Sequence, residues 1–318
     1  REEDSKRASR AAHVSPTTVP APDLVKAVVA IIVLCRAGAG LAFGKGGGQL
    51  LSRARKSFGG SAVPCLAAAM SDLGEASGSS RGAFVLLEGV DRSGKTTQAN
   101  RLVKDLQAAG HEVAFMRFPD RTTPIGQMIN SYLQNTSDMD DRCVHLLFSA
   151  NRWEAAKTLR ERLMAGTTVV CDRYAYSGVA FSAAKPGLCM EWCKDPDRGL
   201  PAPDALIFLD IPVEDAMQRG QFGEERYEKE GFQRRVRQNF FALSDEDHRA
   251  ATQEEEEEGQ QKGRGGQHAP VPWHVIDARG TVEEVAAAVR GVAEEAVAGA
   301  KAGKKLAPLW AAGRAVVA

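Results

Sequence analysis

The sequence lacks the features that would mark a membrane, disulfide-rich or nucleic-acid-binding protein. Lys plus Arg and Asp plus Glu both number 41 among 318 residues, so there is no net basic charge and we expect no nucleic-acid partner. The apolar run Val25–Cys35 is interrupted by Lys26 and is too short for a membrane span, which needs roughly 20 residues. The six cysteines have no paired spacing and are typical of reduced thiols. We therefore predict an ordinary globular enzyme or binding protein without a membrane span in its mature form.

Carboxylates are absent from residues 24–71, where six basic side chains stand among many Ala, Gly and Ser residues. Acid-poor leaders of this kind are typical of targeting segments. We interpret residues 1–80 as a leader that is either a targeting segment or disordered. The location is then predicted to be the cytoplasm or, after leader removal, a mitochondrion or plastid. The first methionine is Met70, which is interpreted as a sign of a processed amino terminus or of an over-extended gene model.

From Ala83 onward, short apolar segments alternate with long amphipathic ones. The apolar segments predict five buried strands, at Ala83–Glu88, Glu112–Phe118, Thr167–Cys171, Asp204–Leu209 and Trp273–Ile276. Helices are predicted near residues 94–110, 124–134, 139–165, 174–184, 213–219, 229–248 and 281–299. Thr123 before Pro124 indicates one helix start, with threonine as the cap. Strands separated by helices predict an α/β sandwich with a parallel sheet whose ligands bind at the carboxyl ends of the strands.

One segment interrupts this pattern. Residues 252–268 contain five consecutive Glu together with several Gly and Gln residues. Because such a composition buries little apolar surface, we predict a disordered, solvated insertion, with an acidic docking segment as the alternative. The folded domain is predicted to span residues 81–310, followed by a tail at 311–318.

The first motif with a chemical meaning is GVDRSGKT, residues 89–96, which matches G-x-x-x-x-G-K-[ST] between a predicted strand and a predicted helix. In this context glycines allow backbone N–H groups to surround phosphate oxygens, and the helix amino terminus adds positive potential. Lys95 is expected to reach the outer phosphates of a nucleotide, and the Thr96 hydroxyl to bind Mg²⁺.

Two variable positions of this loop are charged. Arg92 could spread its donors over a phosphoryl group during transfer, as an arginine finger does. Asp91 would repel phosphate, so we expect it to accept a hydrogen bond from a sugar hydroxyl of a second substrate. The alternative is a local ion pair between the two that steadies the loop.

Three further clusters carry charged or aromatic side chains. Arg121 follows the second predicted strand and could bind an acceptor phosphate in two-pronged fashion, although a surface arginine is equally compatible with the spacing. Phe148 and Arg152 share one helix face and could stack on a planar base and bind its carbonyl, or could simply be core and cap. Asp172 and Arg173 follow the third predicted strand, where magnesium and phosphate roles compete with a structural salt bridge. The segment from Arg219 to Glu228 is typical of a mobile lid, although an ordinary exposed loop has a similar composition.

Together these segments resemble the thymidylate kinase family in its eukaryotic form, with an arginine in the P-loop. The resemblance runs from about Gly82 to Trp310 and rests on the segments EGVDRSGKTTQ, RFPDR, SYLQ, HLLFSANRWE, DRYAYSGVAF, WCK-DPD-GLP and QFGEERYE. It implies the P-loop nucleoside monophosphate kinase fold, a three-layer sandwich with a five-stranded parallel sheet, usually as a homodimer. It also implies Mg²⁺-dependent transfer of the ATP γ-phosphoryl group to dTMP, giving dTDP for dTTP biosynthesis.

The resemblance assigns roles to individual positions. Arg92, Lys95, Asp172 and Arg173 would be catalytic, and Thr96 and Asp172 would bind the metal. The ATP site would comprise Gly89, Val90, Asp91, Arg92, Ser93, Gly94, Lys95, Thr96, Thr97 and Arg219, the last beside the adenine. The dTMP site would comprise Asp91, Phe118, Arg121, Leu133, Phe148, Arg152, Arg173, Gly178, Phe181 and Tyr227.

Three alternatives stand beside this function. The acceptor could instead be dUMP, UMP or a deoxynucleoside, although RFPDR favours one that already carries a phosphate. A GTP-driven switch protein would need the guanine-reading N-K-x-D, which the sequence lacks. A nucleotide-binding scaffold without catalysis is disfavoured because Arg92, Lys95, Asp172 and Arg173 are all present.

Overall fold

The structure, a computed structural model, describes residues 80–219, 223, 225–260 and 270–310. The leader 1–80, apart from its last residue, and the tail 311–318 lie outside the described residues, as does the apolar run Val25–Cys35. Along the part of the chain that is described, no helix combines the length and the apolar character that a membrane crossing requires.

Five parallel strands form one sheet in the order β2-β3-β1-β4-β5. They are β1 (Phe84–Glu88), β2 (Val113–Arg117), β3 (Thr168–Asp172), β4 (Ala205–Asp210) and β5 (Trp273–Asp277). Each strand lies within one residue of its predicted bounds. The register places Leu86 of β1 between Cys171 of β3 and Leu206 of β4, so β1 is the central strand.

The helices connect these strands and cover the sheet. They are α1 (Lys95–Ala108), α2 (Pro124–Leu133), α3 (Asp141–Met164), α4 (Ala175–Ala183), α5 (Met190–Lys194), α6 (Val213–Gln218), α7 (Glu230–Gln260) and α8 (Val282–Lys301). Helix α1 packs against α8, and α4 packs against α3 and α7, which gives the predicted three-layer α/β sandwich. Thr123 caps α2 as expected, since its side chain accepts a hydrogen bond from Gly126 N and Pro124 is the first helical residue.

The fold differs from the sequence-based expectation in three places. Helix α5 and the 3-10 turn Asp195–Asp197 that follows it were not predicted, because a single turn leaves no periodic pattern. The edge strands β2 and β5 are only partly buried, and Val275 is 52% exposed, whereas all five strands were expected to be buried. Among the described residues, each edge strand has a neighbouring strand on one side only.

The third difference concerns the acidic segment. Helix α7 continues to Gln260, so residues 252–260 are helical, contrary to the prediction of a disordered insertion over 252–268. Glutamate is a good helix former, and the extension of an existing helix avoids the unfavourable nucleation step. Residues 261–268 lie outside the described residues.

The arrangement of connections creates a crevice at the carboxyl edge of the sheet. The chain leaves β1 towards the β2 edge, whereas it leaves the adjacent β3 towards β4 on the other side of β1. In open α/β sheets, ligands bind where neighbouring strands send their connections in opposite directions. The predicted P-loop follows β1 and the Asp172-Arg173 pair follows β3, so the two motifs meet at this crevice.

A buried histidine ties together the helices behind the crevice. His145 of α3 is fully buried, with Nδ1 2.8 Å from Ser182 Oγ and Nε2 3.0 Å from the Cys193 carbonyl oxygen. Because a carbonyl only accepts, Nε2 carries the proton, and the Ser182 hydroxyl donates to Nδ1. Burial, and to a lesser extent the positive charge of Arg152, lower the pKa of His145 to about 4. The fold therefore favours the neutral imidazole.

We predict that His145 makes the fold sensitive to mild acid. Because its folded pKa lies below its unfolded value of about 6.5, the stabilisation is complete above that pH and is lost as pH falls towards 4. Between pH 7.5 and 5 the wild type should lose about 2 kcal/mol more unfolding free energy than His145→Gln, whose amide can still donate to Cys193. Urea unfolding at both pH values measures this, and an equal loss in the two proteins would contradict the assignment.

Candidate active site

The P-loop wraps around the ammonium group of Lys95. Gly89 and Gly94 have φ values of +152° and +99°, and a Cβ at Gly89 would lie 2.7 Å from the Leu209 carbonyl oxygen. Lys95 begins α1, and its Nζ donates to the Val90 carbonyl oxygen at 2.6 Å and to Ser93 Oγ at 3.2 Å. The loop therefore positions a lysine and a helix amino terminus at the end of β1, as anion binding requires.

Lys95 is buried, and several charged side chains surround it. Burial and the positive charge of Arg173 lower the pKa of Lys95 to about 7, although the carboxylates of Asp91, Asp172 and Glu88 partly oppose the shift. A polyphosphate bound in the loop would add negative charge and favour the protonated form. The site is thus suited to bind an anion at the end of β1.

Thr96 and Asp172 bring two oxygen-bearing side chains together. Thr96 Oγ1 donates to Asp172 Oδ2 at 2.6 Å, and Arg117 Nε lies 3.6 Å from the same oxygen. Asp172 is 1% exposed, and its Oδ1 is buried without a hydrogen bond within the described residues. The described ranges contain no group of three or more His, Cys, Asp or Glu residues that could hold a metal ion by themselves.

Arg173 is directed into the same crevice. Its φ of +68° is unusual for a residue with a side chain. The guanidinium donates to the Gly89 carbonyl oxygen and to Ser177 Oγ, both at 3.3 Å, and forms an ion pair with Asp91. Asp91 also accepts from Gln233 Nε2 at 2.5 Å. Arg173 thus links the P-loop to the end of β3.

Glu88, the last residue of β1, holds the start of α4 in place through hydrogen bonds. The side chain is fully buried, and Oε1 accepts from the backbone N–H groups of Tyr174 at 2.9 Å and Ser177 at 3.0 Å. Tyr174 is the N-cap of α4 and Ser177 lies in its first turn, where N–H groups have no carbonyl partner within the helix, so a carboxylate of β1 caps a helix that follows β3. Burial raises the pKa of Glu88, and the hydrogen bonds from Ser177 partly offset that effect.

Two arginines of the crevice are paired with carboxylates of the lid segment, defined here as residues 225–229. Arg92, with φ +63°, places Nε 2.9 Å from Glu228 Oε1. Arg121 places Nη2 2.9 Å from Glu225 Oε1 and donates through Nη1 to Asn130. The lid segment therefore contacts both the P-loop arginine and the arginine that follows β2.

Arg226 fastens the lid segment to the end of α2. Its backbone N–H donates to the Leu133 carbonyl oxygen at 3.0 Å, and its Nε donates to the Tyr132 carbonyl oxygen at 2.9 Å. The guanidinium lies 4.0 Å from the centroid of the Tyr132 ring. This anchor places Tyr227 against Phe181 and Phe232, with ring centroids 5.8 and 5.0 Å away.

A single cavity of about 740 Å³ connects the P-loop to an aromatic pocket. This volume falls within the range typical of small-molecule sites. The predicted residues that line it are Asp91, Arg92, Ser93, Gly94, Lys95, Thr96, Thr97, Phe118, Arg121, Leu133, Phe148, Arg152, Arg173, Gly178, Phe181, Arg219 and Tyr227. Gly178 is needed beside Arg152, because a Cβ there would lie 2.6 Å from Arg152 Nη2.

Three predicted residues do not line the cavity. Val90 is 1% exposed, so its side chain belongs to the core and only its backbone serves the loop. Gly89 contributes a backbone turn, and Asp172 lies behind Thr96. Arg219 does line the cavity, and it donates to the Ser93 carbonyl oxygen at 3.1 Å and to the Ala278 carbonyl oxygen at 2.6 Å.

Sequence reasoning missed part of the cavity wall. The additional residues are Gln98, Arg117, Pro119, Tyr174, Ser177, Ser182, Glu225, Glu228, Ala278, Gly280, Val282 and Val285. Ala278 and Gly280 follow β5, so the rule that ligands bind at the carboxyl ends of strands could have identified them. Glu225 and Glu228 lie within the predicted lid, but their pairing with arginines depends on the fold.

Comparison with known proteins identifies the relatives of this chain. A family model described as Thymidylate kinase matches residues 87–262. Thymidylate kinase of Danio rerio is 46% identical over 217 residues, which cover 68% of this chain and 92% of the relative. Thymidylate kinase of Homo sapiens is 44% identical over 230 residues, which cover 72% and 98%.

A solved structure leads to the same family. The structure of thymidylate kinase from Candida albicans aligns with a TM-score of 0.59 at 31% sequence identity, covering 72% of this chain and 98% of that chain. The five-stranded parallel sheet and the P-loop at its central strand are those of a P-loop nucleoside monophosphate kinase, as the resemblance implied. The chain belongs to the thymidylate kinase family.

Proposed function

We propose that the protein is a dTMP kinase that transfers the γ-phosphoryl group of ATP to the phosphate of dTMP, yielding ADP and dTDP. The observation that carries this function is the continuous cavity of about 740 Å³, which joins a P-loop to an aromatic pocket. A single nucleotide at the P-loop would leave the aromatic end for a second, planar ligand. The curated relatives named thymidylate kinase support the same reaction.

The donor would bind along the P-loop. Lys95 and the backbone N–H groups of residues 89–97 would hold the ATP phosphates, and Arg219 would lie beside the adenine. The bonds of Arg219 to Ser93 and Ala278 support this, because they join the loop to the connection after β5. Val282 and Val285, which follow the same connection after β5, also line the cavity.

The acceptor would bind at the aromatic end. Phe148 would stack on thymine and Arg152 would bind a base carbonyl, while Arg121 and Arg173 would hold the phosphate. Asp91 would accept a hydrogen bond from the 3′-hydroxyl. The remaining pocket residues would be Phe118, Leu133, Gly178, Phe181 and Tyr227, all of which line the cavity.

The oxygen atoms at the end of β3 fit Mg²⁺. Asp172 Oδ1 is buried without a hydrogen bond within the described residues, and Thr96 Oγ1 contacts Oδ2. Mg²⁺ prefers oxygen ligands and is commonly held by one or two carboxylates together with substrate phosphates. We propose that Thr96 and Asp172, directly or through water, hold Mg²⁺ that binds with ATP. When bound, the ion would neutralise part of the phosphate charge.

The reaction needs no general base. The second pKa of a phosphate monoester is about 6, so the acceptor is mostly a dianion at neutral pH. One of its oxygens attacks the γ-phosphorus of ATP, the bond from that phosphorus to the β,γ-bridging oxygen breaks, and ADP leaves with that oxygen. The chain therefore contributes orientation and positive charge, chiefly from Lys95, Arg92 and Arg173.

The function is tested by coupled measurement of ADP release with purified protein, ATP and Mg²⁺. Release that depends on added dTMP would establish the kinase, whereas release without an acceptor, or none at all, would exclude it. A panel containing dUMP, UMP and thymidine would determine the acceptor. The inactive nucleotide-binding alternative predicts ATP binding without ADP release.

We predict that Arg92→Ala lowers kcat by at least about 10³, because the guanidinium stabilises the charge on the transferring group. Glu228→Gln is the matched control, since it removes the ion pair with the lid segment and leaves the arginine in place. The control should lose less than about tenfold in kcat. Steady-state kinetics distinguish the outcomes. An Arg92 defect confined to KM, or one reproduced in full by Glu228→Gln, would contradict a catalytic role.

We predict that Phe148→Ala raises the dissociation constant of dTMP by about 5- to 150-fold and leaves that of ADP nearly unchanged, because base stacking on an aromatic ring contributes about 1–3 kcal/mol. Phe115→Ala on the edge strand β2 is the control, since this ring is 37% exposed and does not line the cavity. Calorimetric titration measures both constants. Unchanged dTMP affinity in Phe148→Ala would refute the stacking.

Two further proposals rest on the resemblance and on the composition of the leader. We propose that the protein forms a homodimer, which sedimentation equilibrium tests against the chain mass of 34.1 kDa.

We also propose that residues 1–80 act as a targeting segment for an organelle. A fusion of these residues to a fluorescent reporter tests this, and a uniformly cytoplasmic signal would contradict it.

A further inference from the structure

One of the segments that carry the resemblance to thymidylate kinases has no role in the mechanism proposed above. The segment WCK-DPD-GLP spans helix α5, the 3-10 turn Asp195–Asp197 and the chain that leads into β4. Asp197, the last residue of the turn, has no measurable exposure to solvent. A fully buried carboxylate is energetically unfavourable unless it is paired and hydrogen-bonded, so its partners show what it does.

Asp197 binds the arginine of the aromatic pocket in two-pronged fashion. Its Oδ1 accepts from Arg152 Nε at 3.1 Å, and its Oδ2 accepts from Arg152 Nη2 at 2.6 Å. The two side chains are 0% and 2% exposed. Such a planar contact fixes both the position and the orientation of a guanidinium.

The contact leaves one end of the guanidinium available. Arg152 Nη1 makes no hydrogen bond to any described residue, and Arg152 lines the cavity. Gly178 of α4 lies against the group, since a Cβ there would come within 2.6 Å of Nη2 and 3.0 Å of Nη1. Asp197 at one edge and Gly178 beside it together leave the guanidinium little freedom to move.

The turn that carries Asp197 is itself held by the helix that carries Arg152. Ser149 Oγ donates to Asp197 Oδ1 at 2.8 Å and lies 3.0 Å from the Pro196 carbonyl oxygen. Trp153 Nε1 donates to the same carbonyl oxygen at 2.7 Å. Residues 149, 152 and 153 of α3 therefore all bond to one turn, so arginine and carboxylate belong to one rigid unit.

We propose that Asp197 is a positioning residue that holds Arg152 so that Nη1 binds the C4 carbonyl of the acceptor base, which makes Asp197 a determinant of base selectivity. The inference rests on the proposed function. A buried ion pair contributes little net stability, but it can enforce a specific geometry. The same unit would discriminate against a base with an amino group at C4, because two hydrogen-bond donors would then face each other.

The test compares the binding of dTMP with that of dCMP, which carries an amino group in place of the C4 carbonyl. Calorimetry on the full chain would give both dissociation constants for the wild type, Asp197→Asn and Ser149→Ala. We expect Asp197→Asn to weaken dTMP at least tenfold and dCMP less than threefold, so that selectivity falls. Ser149→Ala, which removes one bond to Asp197 and keeps the two-pronged contact, should retain the wild-type selectivity.

A double-variant comparison separates positioning from a purely structural role. If Asp197 acts through Arg152, then Asp197→Asn should change the selectivity no further in the background Arg152→Met. Equal weakening of dTMP and dCMP in Asp197→Asn, or an added loss of selectivity in the Arg152→Met background, would overturn the inference. If Asp197→Asn does not fold, Asp197→Glu retains the charge and displaces the guanidinium, and unchanged selectivity there would also overturn it.

The outcomes are distinct from a failure of the proposed function. If the wild type binds dTMP and releases ADP in response to it, while Asp197→Asn keeps full selectivity, only the inference about Asp197 is lost. If the wild type binds neither dTMP nor dCMP, the proposed function fails before any variant is compared.

Discussion

Positive charge gathered at one edge of a buried sheet has to be neutralised, and this constraint organises the site. Five of the six arginines that line the cavity each form an ion pair with a carboxylate, whereas Arg219 donates to backbone carbonyl oxygens. The pairs are Arg92–Glu228, Arg117–Asp172, Arg121–Glu225, Arg152–Asp197 and Arg173–Asp91. A carboxylate partner offsets part of the desolvation penalty of a partly buried guanidinium. The carboxylates thus allow the chain to hold, before any substrate binds, the charge that phosphoryl transfer requires.

The five ion pairs differ in their burial and in the parts of the chain that they connect. Arg152–Asp197 is fully buried between α3 and a short turn. No third charged side chain among the described residues hydrogen-bonds to either partner. Arg92 and Arg121, in contrast, pair with Glu228 and Glu225 of the lid segment. Phosphate oxygens accept the same charge-assisted, two-pronged hydrogen bonds from arginine as carboxylates do, so bound substrate phosphates would compete with Glu228 and Glu225 for these arginines. Occupation of the phosphate sites and the position of the lid segment would then be coupled, as in other enzymes whose lids complete the catalytic site.

Much of this could be predicted from the sequence because its signals are local. Strands β1, β3 and β4 are buried on both faces, so each is a short apolar run, and the charged motifs directly follow them. The missed features depend on contacts between distant residues: Asp197 lies 45 positions from Arg152, and Gln233 lies 142 positions from Asp91. No spacing rule connects such pairs. Helix α5 is a single turn stabilised by its surroundings, and the extension of α7 through an acidic run follows from helix continuation, which composition alone does not show.

The role of Arg92 is tested most directly by a crystal structure of the protein with Mg²⁺, ADP, dTMP and aluminium fluoride, in which the fluoride takes the place of the transferring phosphoryl group. If Arg92 stabilises that group, its guanidinium will have left Glu228 and will lie about 3 Å from the fluoride ligands. An Arg92 side chain that remains paired with Glu228, with no P-loop arginine near the fluoride, would contradict the proposed mechanism.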